Sequence, residues 1–440
     1  MRQIIKNATI INEGKAFVGG IVIENEYIKT IFGNEPESTG ECKIIDASGK
    51  LLIPGIIDDQ VHFREPGATR KADITGESRA AVAGGVTSYM DMPNNSPPAT
   101  TIELLEKKYE RAAAVSLANY SFYLGAGNNN LDEIKRINPS NICGVKVFMG
   151  SSTGNMLVDN DYTLSAIFSE SPVLIATHCE DEDIIKQQLQ KFQAQYGEDI
   201  PISCHPLIRS EEACVRSTDK AIALAEKYRS RLHVLHVTTA KEAALFTPGQ
   251  HITAEVCIHH LWFCDDDYKQ YGTLIKCNPA IKTLTDRNAL RAAVNSGKIA
   301  VVASDHAPHL LSEKALNYMN APAGLPLVQH SLLMMLELCR QGIFTPELIV
   351  ERMCHSPAKL FNIEKRGFIR EGYYADLVLV DPLRRWEVNK GNILYKCGWS
   401  PLEGYSFHNC VTHTFVNGNL VYEEGKFNEN AKGLRLQFKQ

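Results

Sequence analysis

The run Gly55 to Gly67, G-I-I-D-D-Q-V-H-F-R-E-P-G, sets Asp58, Gln60, His62 and Arg64 at every second position. In a β-strand that spacing turns alternate side chains to one face. A carboxylate, an amide, an imidazole and a guanidinium make a face too polar for a core and suited to a metal ion and an anion. Polar groups recur at the C-terminal ends of further apolar runs: Asn94, Lys146, His178, His236, His259-His260, Asp305 and His309. Of these, His178, His236 and Asp305 join His62 in a nitrogen-and-oxygen ligand set for zinc or a similar divalent ion.

Lys146 stands in Gly144-Val145-Lys146-Val147-Phe148, where an ammonium at the end of an apolar strand beside other cations is disfavoured. Burial favours the neutral amine, which reacts with carbon dioxide to give a carbamate. The carbamate behaves as a carboxylate and can bridge two ions. Two ions about 3.5–4 Å apart can share a hydroxide and polarise a carbonyl. The expected reaction is attack on an amide-type carbonyl, with Asp305 taking the hydroxide's proton and delivering it to the leaving nitrogen. Arg64, Asn94 and His309 add a donor set beside this centre. The planar fork of an arginine matches a carboxylate, so the substrate is expected to carry one.

These groups need elements that aim them at one place. From Leu51 onward, eight apolar runs alternate with helical stretches such as Ala72 to Ala83, Thr101 to Ala113, Glu211 to Tyr228 and Asp286 to Asn295. The runs are Leu51 to Phe63, Val86 to Met92, Tyr120 to Leu124, Val145 to Met149, Val173 to Thr177, Leu232 to Val237, Ile252 to Ile258 and Ile299 to Ser304. Eight such units predict an α/β fold, a closed (β/α)8 TIM-type barrel over 53–365, in which catalytic groups converge at the C-terminal mouth. Only the third run lacks a polar group at its end. Residues 1–52 read as short strands, and β patterning returns at Ala375 to Val380 and at Val411 to Tyr422 with its Asn417-Gly418 hairpin signal. Residues 1–52 and 366–440 are expected to pair into a small β-sandwich.

The bulk numbers agree with a soluble enzyme. The chain has 440 residues, with 46 Lys and Arg against 51 acids and a net charge of -5. Without a long basic block, nucleic acid is not an expected partner, and a small molecule is. No run of eighteen apolar residues spans a bilayer and the N-terminus reads as a strand, so the expected location is the cytoplasm. The 12 cysteines form no CxxC pair and are expected to be reduced and mostly buried.

The motifs Asp58 to Gly67, Met92-Pro93-Asn94-Asn95, Gly144 to Phe148, Thr177-His178-Cys179-Glu180, Leu235-His236-Val237-Thr238, Lys276-Cys277-Asn278-Pro279 and Ser304 to His309 together resemble the dihydroorotase family of the amidohydrolase superfamily. The likeness covers nearly the whole chain, including Gly372 to Asp381 in the terminal unit. It implies reversible cyclisation of N-carbamoyl-L-aspartate to (S)-dihydroorotate plus water, a step of pyrimidine (UMP) biosynthesis. It implies that His62 and Asp305 bind one zinc ion, that His178 and His236 bind another, and that carboxylated Lys146 bridges them. Arg64, Asn94 and His309 would hold the substrate carboxylate, while Asn278 and the backbone near Ala323 and Gly324 would contact the ring. His259 and His260 fall in the family's H-H-L segment and are given no catalytic role. A homodimer, and an association with aspartate transcarbamoylase, are further implications of the resemblance.

Two positions depart from the family pattern. Gln60 stands where the family has the first histidine of D-x-H-x-H-x-R. Three outcomes follow: Gln60 ligates weakly, water fills the gap, or one metal is held at low occupancy or not at all, giving one or two ions per chain. Gln329 ends a segment, Gly324 to Gln329, that relatives write G-x-x-G-x-E, and is expected to alter loop packing more than chemistry. Two other readings compete. One is an allantoinase- or hydantoinase-type cyclic amidohydrolase, whose substrates lack the carboxylate that Arg64 would bind. The other is a non-catalytic scaffold for aspartate transcarbamoylase, supported by Gln60 and opposed by Lys146, His178, His236 and Asp305.

Overall fold

The computed structural model describes residues 2–33, 42–150, 156–158 and 160–439; Met1, 34–41 and Gln440, all assigned above to the terminal β unit, lie outside the described residues. Five strands come first: β1 (Arg2–Asn12), β2 (Lys15–Glu24), β3 (Tyr27–Phe32), β4 (Lys43–Asp46) and β5 (Leu51–Pro54). Alternate side chains along them, among them Ile5, Ile10, Ile21, Ile23 and Leu52, are buried in one core. That is the arrangement a period of two dictates.

The barrel strands follow. They are β6 (Ile56–Val61), β7 (Val86–Asp91), β8 (Asn119–Phe122), β9 (Leu124–Gly125), β10 (Val145–Phe148), β11 (Ile175–His178), β12 (Leu232–Val234), β13 (Ile252–Cys257) and β14 (Val301–Ala303). β8 and β9 are two halves of one position, interrupted at Tyr123, which gives eight. Hydrogen-bonded neighbours run β6-β7-β8 and β9-β10-β11-β12-β13-β14, every pair parallel. The ring closes where Val61 bridges His306 and His62 N–H donates to His306 O at 2.7 Å. Parallel strands covered on both faces read as near-continuous apolar runs, which is why the eight were recognisable in the sequence.

Six strands end the chain: β15 (Leu377–Asp381), β16 (Trp386–Glu387), β17 (Ser406–Phe407), β18 (Cys410–Val416), β19 (Asn419–Glu423) and β20 (Lys426–Phe427). Four of them join the N-terminal five in one hydrogen-bonded sheet, ordered β20-β19-β18-β15-β5-β1-β2-β3 with β4 on β1. The β-sandwich is thus a continuous nine-stranded sheet around its own apolar core. The last residues leave it: Leu434 O and Leu436 N pair with Tyr120, and Leu436 and Phe438 pack with Ile57, Met90 and Tyr123. Among the described residues no helix is long and apolar enough to cross a membrane, and the cysteines are free thiols, mostly buried.

Two local features differ from simple strand logic. The run Leu51 to Phe63 is two strands, because the chain passes from the terminal sheet into the barrel at Pro54-Gly55. The passage is so close that a Cβ on residue 55 would lie 2.0 Å from Thr87 Oγ1, which only glycine avoids. The second feature is in β6, where Asp58 pairs with Tyr89 but Val61 pairs with Asp91. Three residues on one strand span two on the other, a bulge that redirects side chains. The expected one-faced row from Asp58 to Arg64 is broken there. Asp58 Oδ1 accepts from the backbone N–H groups of Gln60 and Ser304 and does not line the cavity.

Candidate active site

At the C-terminal mouth of the barrel lies a cavity of about 290 Å³. It is lined by Gln60, His62, Arg64, Asn94, Lys146, His178, His236, Asn278, Asp305, His309, Ala323 and Gly324, with Phe148, Ala307 and Pro322 as its apolar walls. Every site residue expected from the sequence lines this one cavity, most of them at or just beyond a strand end, Lys146 from within β10, and Asn278, Ala323 and Gly324 from loops. Three of them, Arg64 (φ +63°), His236 (+41°) and Asp305 (+44°), hold the left-handed backbone conformation. For non-glycine residues that costs about 1–3 kcal/mol each, and such strain concentrates at functional sites.

The ligand-type groups face each other in pairs. His178 Nδ1 lies 3.1 Å from His236 Nε2. Burial pushes both imidazoles below their ordinary pKa, so both are neutral with lone pairs to offer. His178 Nε2 is 2.8 Å from Glu180 Oε2, and Glu180 also takes Arg209. Burial alone would raise the Glu180 carboxyl, but the Arg209 guanidinium and His178 bring it to about 2. A carboxylate behind an imidazole fixes its tautomer and leaves Nδ1 to ligate, the usual support of a metal-binding histidine. On the other side His62 Nε2 is 3.2 Å from Asp305 Oδ1, while His62 Nδ1 pairs with Asn94 Oδ1 at 2.7 Å. Burial would raise Asp305 too, yet His62 holds it below the usual carboxylate range.

Lys146 completes the set. It is 1% exposed, so its Nζ does not reach solvent past the strand end. Nζ has no hydrogen-bond partner among the described residues, lies 4.8 Å from the Phe148 ring centre, and is lowered to about 8 by burial. Facing imidazole lone pairs, a buried carboxylate and an unpartnered amine fit a divalent metal site with a carbamate on Lys146. Gln60 takes a different part: its Nε2 donates to Asp305 Oδ1 at 3.2 Å.

The second half of the cavity is cationic. Arg64 donates through Nε to Pro308 O at 3.2 Å, and its Nη2 lies 3.1 Å from His309 Nε2. It makes no ion pair with Asp58 or Glu65; Glu65 is bound instead to Arg111 and to the N–H of Ile74. His309 Nδ1 accepts from Lys71 Nζ at 3.0 Å, so Nε2 carries the proton and donates to Ala323 O at 3.0 Å. Burial, with Arg64 and Lys71 beside it, drives His309 far below its ordinary value and keeps it neutral. Asn278 Oδ1 is buried without a partner among the described residues.

Several supports escaped the sequence reading. Lys314 Nζ donates to Lys276 O, Pro322 O and Gly324 O, and Lys276 Nζ donates to Tyr318 O and Ala321 O. Two lysines thereby tie the Ala323–Gly324 wall to the Asn278 loop. Gly324 itself is at φ +138°, and a Cβ there would meet Ala307 O at 2.4 Å. Lys108 Nζ binds Asp91 Oδ2, Met92 O and Asn95 Oδ1, while Asp91 Oδ1 accepts from Phe63 N–H, fixing the chain on both sides of His62 and Asn94. Lone lysines give no sequence signal for this. Glu180 had one, two residues beyond His178 on an alternating strand end. Gln329 binds Asn392 O and Leu394 N–H, a packing role.

Residues 51–421 match the model of the amidohydrolase family. The chain belongs to that family, in its dihydroorotase branch. It is similar to the dihydroorotase of Pyrococcus furiosus, 31% identical over 99% of this chain and 96% of that one. The dihydroorotase of Sulfurihydrogenibium sp. is 32% identical over 92% and 95%. Among solved structures, L-hydantoinase (dihydropyrimidinase) from Arthrobacter aurescens superposes with a TM-score of 0.92 at 26% identity, covering 97% of both chains. Dihydropyrimidinase from Brevibacillus agri superposes with 0.89 at 25% identity, covering 100% of both.

Proposed function

We propose that this chain is a dihydroorotase, a hydrolase of a cyclic amide that interconverts N-carbamoyl-L-aspartate and (S)-dihydroorotate plus water in pyrimidine biosynthesis. One observation carries the choice of substrate. Arg64 brings a guanidinium to the cavity wall without an acidic partner among the described residues. A substrate carboxylate satisfies it, and hydantoin-type substrates have none to offer.

The residues divide the work. Arg64 grips the carboxylate. Asn94 has its Oδ1 engaged by His62 and so presents its amide N–H groups. The substrate carboxylate competes with Ala323 O for His309 Nε2–H. Asn278 Oδ1 is an open acceptor for a ring N–H. Asp305, kept ionised by His62, takes a proton from the attacking water and hands it to the leaving nitrogen. A divalent ion held by His62, Lys146, His178, His236 and Asp305 supplies Lewis-acid polarisation of the carbonyl and a more acidic water. The reading extends to zinc as the ion and a carbamate on Lys146. It extends to a cytoplasmic location and, by family likeness alone, to a homodimer able to associate with aspartate transcarbamoylase.

The test compares dihydroorotate with dihydrouracil, the same ring without the carboxylate. Wild type should turn over dihydroorotate, and Arg64→Ala should raise its KM about 10–150-fold, the equivalent of about 1.5–3 kcal/mol for a charge-assisted contact. The effect should be absent for dihydrouracil. A wild-type enzyme that prefers dihydrouracil would move the assignment to the hydantoinase type.

A further inference from the structure

Within the barrel, a second group of ligand-type side chains plays no part in this reaction. Asp59 on β6, His233 on β12 and Glu255 on β13 are all 0% exposed, and one donor atom from each lies within 4.8 Å of the other two. The bulge in β6 turns Asp59 toward β12. His233 Nε2 is 3.2 Å from Asp59 Oδ2 and 3.9 Å from Glu255 Oε2.

The far side of the His233 ring decides what faces these carboxylates. Thr253 Oγ1 donates its proton to Leu232 O at 3.2 Å, so it accepts from His233 Nδ1–H at 2.7 Å. Nε2 of His233 then faces two carboxylates. Neither oxygen of Asp59, nor Glu255 Oε2, nor His233 Nε2 has a hydrogen-bond partner among the described residues. Glu255 Oε1 is already engaged by the backbone N–H of His236 at 3.0 Å and by Cys257 Sγ at 3.3 Å, which leaves Oε2 to the cluster. Two carboxylates that converge on an imidazole nitrogen in a dry interior, all four atoms unpartnered among the described residues, call for a cation.

We propose that Asp59, His233 and Glu255 bind a divalent transition-metal ion, a site separate from the one at the cavity. Two carboxylate oxygens and an imidazole suit zinc or manganese. Ligand atoms about 2.0–2.1 Å from a tetrahedral ion sit about 3.3–3.4 Å apart, near the observed 3.2 and 3.9 Å. The second imidazole nitrogen is held by Thr253, as the outer partner of a ligating histidine should be. Such an ion ties three strands together through the barrel interior. It also holds Glu255 in place, and Glu255 supports the strained backbone of His236. Its role is structural, and it touches no substrate.

The full-length protein, as purified and after reconstitution with zinc chloride, is crystallised, and anomalous difference maps are recorded on both sides of the absorption edge of the metals found by X-ray fluorescence. A peak among Asp59, His233 and Glu255, additional to any at the cavity, is expected. In Asp59→Asn, which keeps the side-chain shape, that peak should vanish and the metal content should fall by one ion per chain, with cavity peaks retained. The wild-type map needs no variant to fold. Absence of the peak in both preparations, or its persistence in Asp59→Asn, overturns the proposal and leaves the cluster neutralised by protons.

Discussion

Gln60 Nε2 donates to Asp305 Oδ1 across 3.2 Å, the same oxygen that His62 Nε2 approaches to 3.2 Å. An imidazole at this position would offer a lone pair to a metal ion, whereas Gln60 turns an amide N–H to the carboxylate, and an N–H cannot ligate. Gln60→His should therefore tighten metal binding on the His62–Asp305 side by at least about tenfold, since even outer partners of ligands contribute about 10–100-fold. Competition titration with a chromophoric chelator measures it. An unchanged affinity would mean that Gln60 already ligates through Oε1.

Glu180 stands behind His178 at 2.8 Å and is itself held by Arg209. Glu180→Gln removes the charge while keeping the shape. Metal affinity should fall about 10–100-fold with little loss of folded protein. If only stability changed, Glu180 would be a packing residue.

Lys146 carries a pH prediction. Burial lowers its pKa to about 8, so near pH 7.5 roughly a quarter of the side chain is free amine, against about 0.1% for an ordinary lysine. Only the amine reacts with carbon dioxide. In metal-free protein with bicarbonate, the fraction carrying one added carbon dioxide should rise as pH increases through about 8 and fall below it. Native mass spectrometry at graded pH reads this directly, and a flat profile would contradict a buried, reactive Lys146.

Lys108 and Asp91 form an ion pair with side chains 2% and 0% exposed, 2.6 Å apart. Removing one partner strands a buried charge, so Lys108→Met should destabilise the fold by about 3–5 kcal/mol in urea unfolding. The double variant Lys108→Met with Asp91→Asn should lose less than the single one. Additive losses would show that the two residues act independently.

Much of the site could be read from strand ends. Parallel barrel strands are apolar along their length, so His62, His178, His236 and Asp305 stood out at or just beyond their C-terminal tips and Lys146 within β10, and the (β/α)8 closure explains why they meet. Asp59 could not be read in that way. Strict alternation put it on the far side of the strand from Gln60, and only the bulge between Asp58 and Val61 carries it toward His233. Lys71 and Lys314 were equally silent, because a lysine's chemistry depends on which carbonyls or rings its long side chain reaches.

By itself, the sequence determined the barrel, the terminal β unit and the identities of the groups at the mouth, since hydrophobic period and residue type are local properties. Tertiary structure alone decided which nitrogen of His178 Glu180 holds, that Gln60 binds Asp305, and that Arg64 has no acidic partner among the described residues. Those outcomes depend on hydrogen bonds between residues up to 245 positions apart, whose geometry is set only when the ring of strands closes.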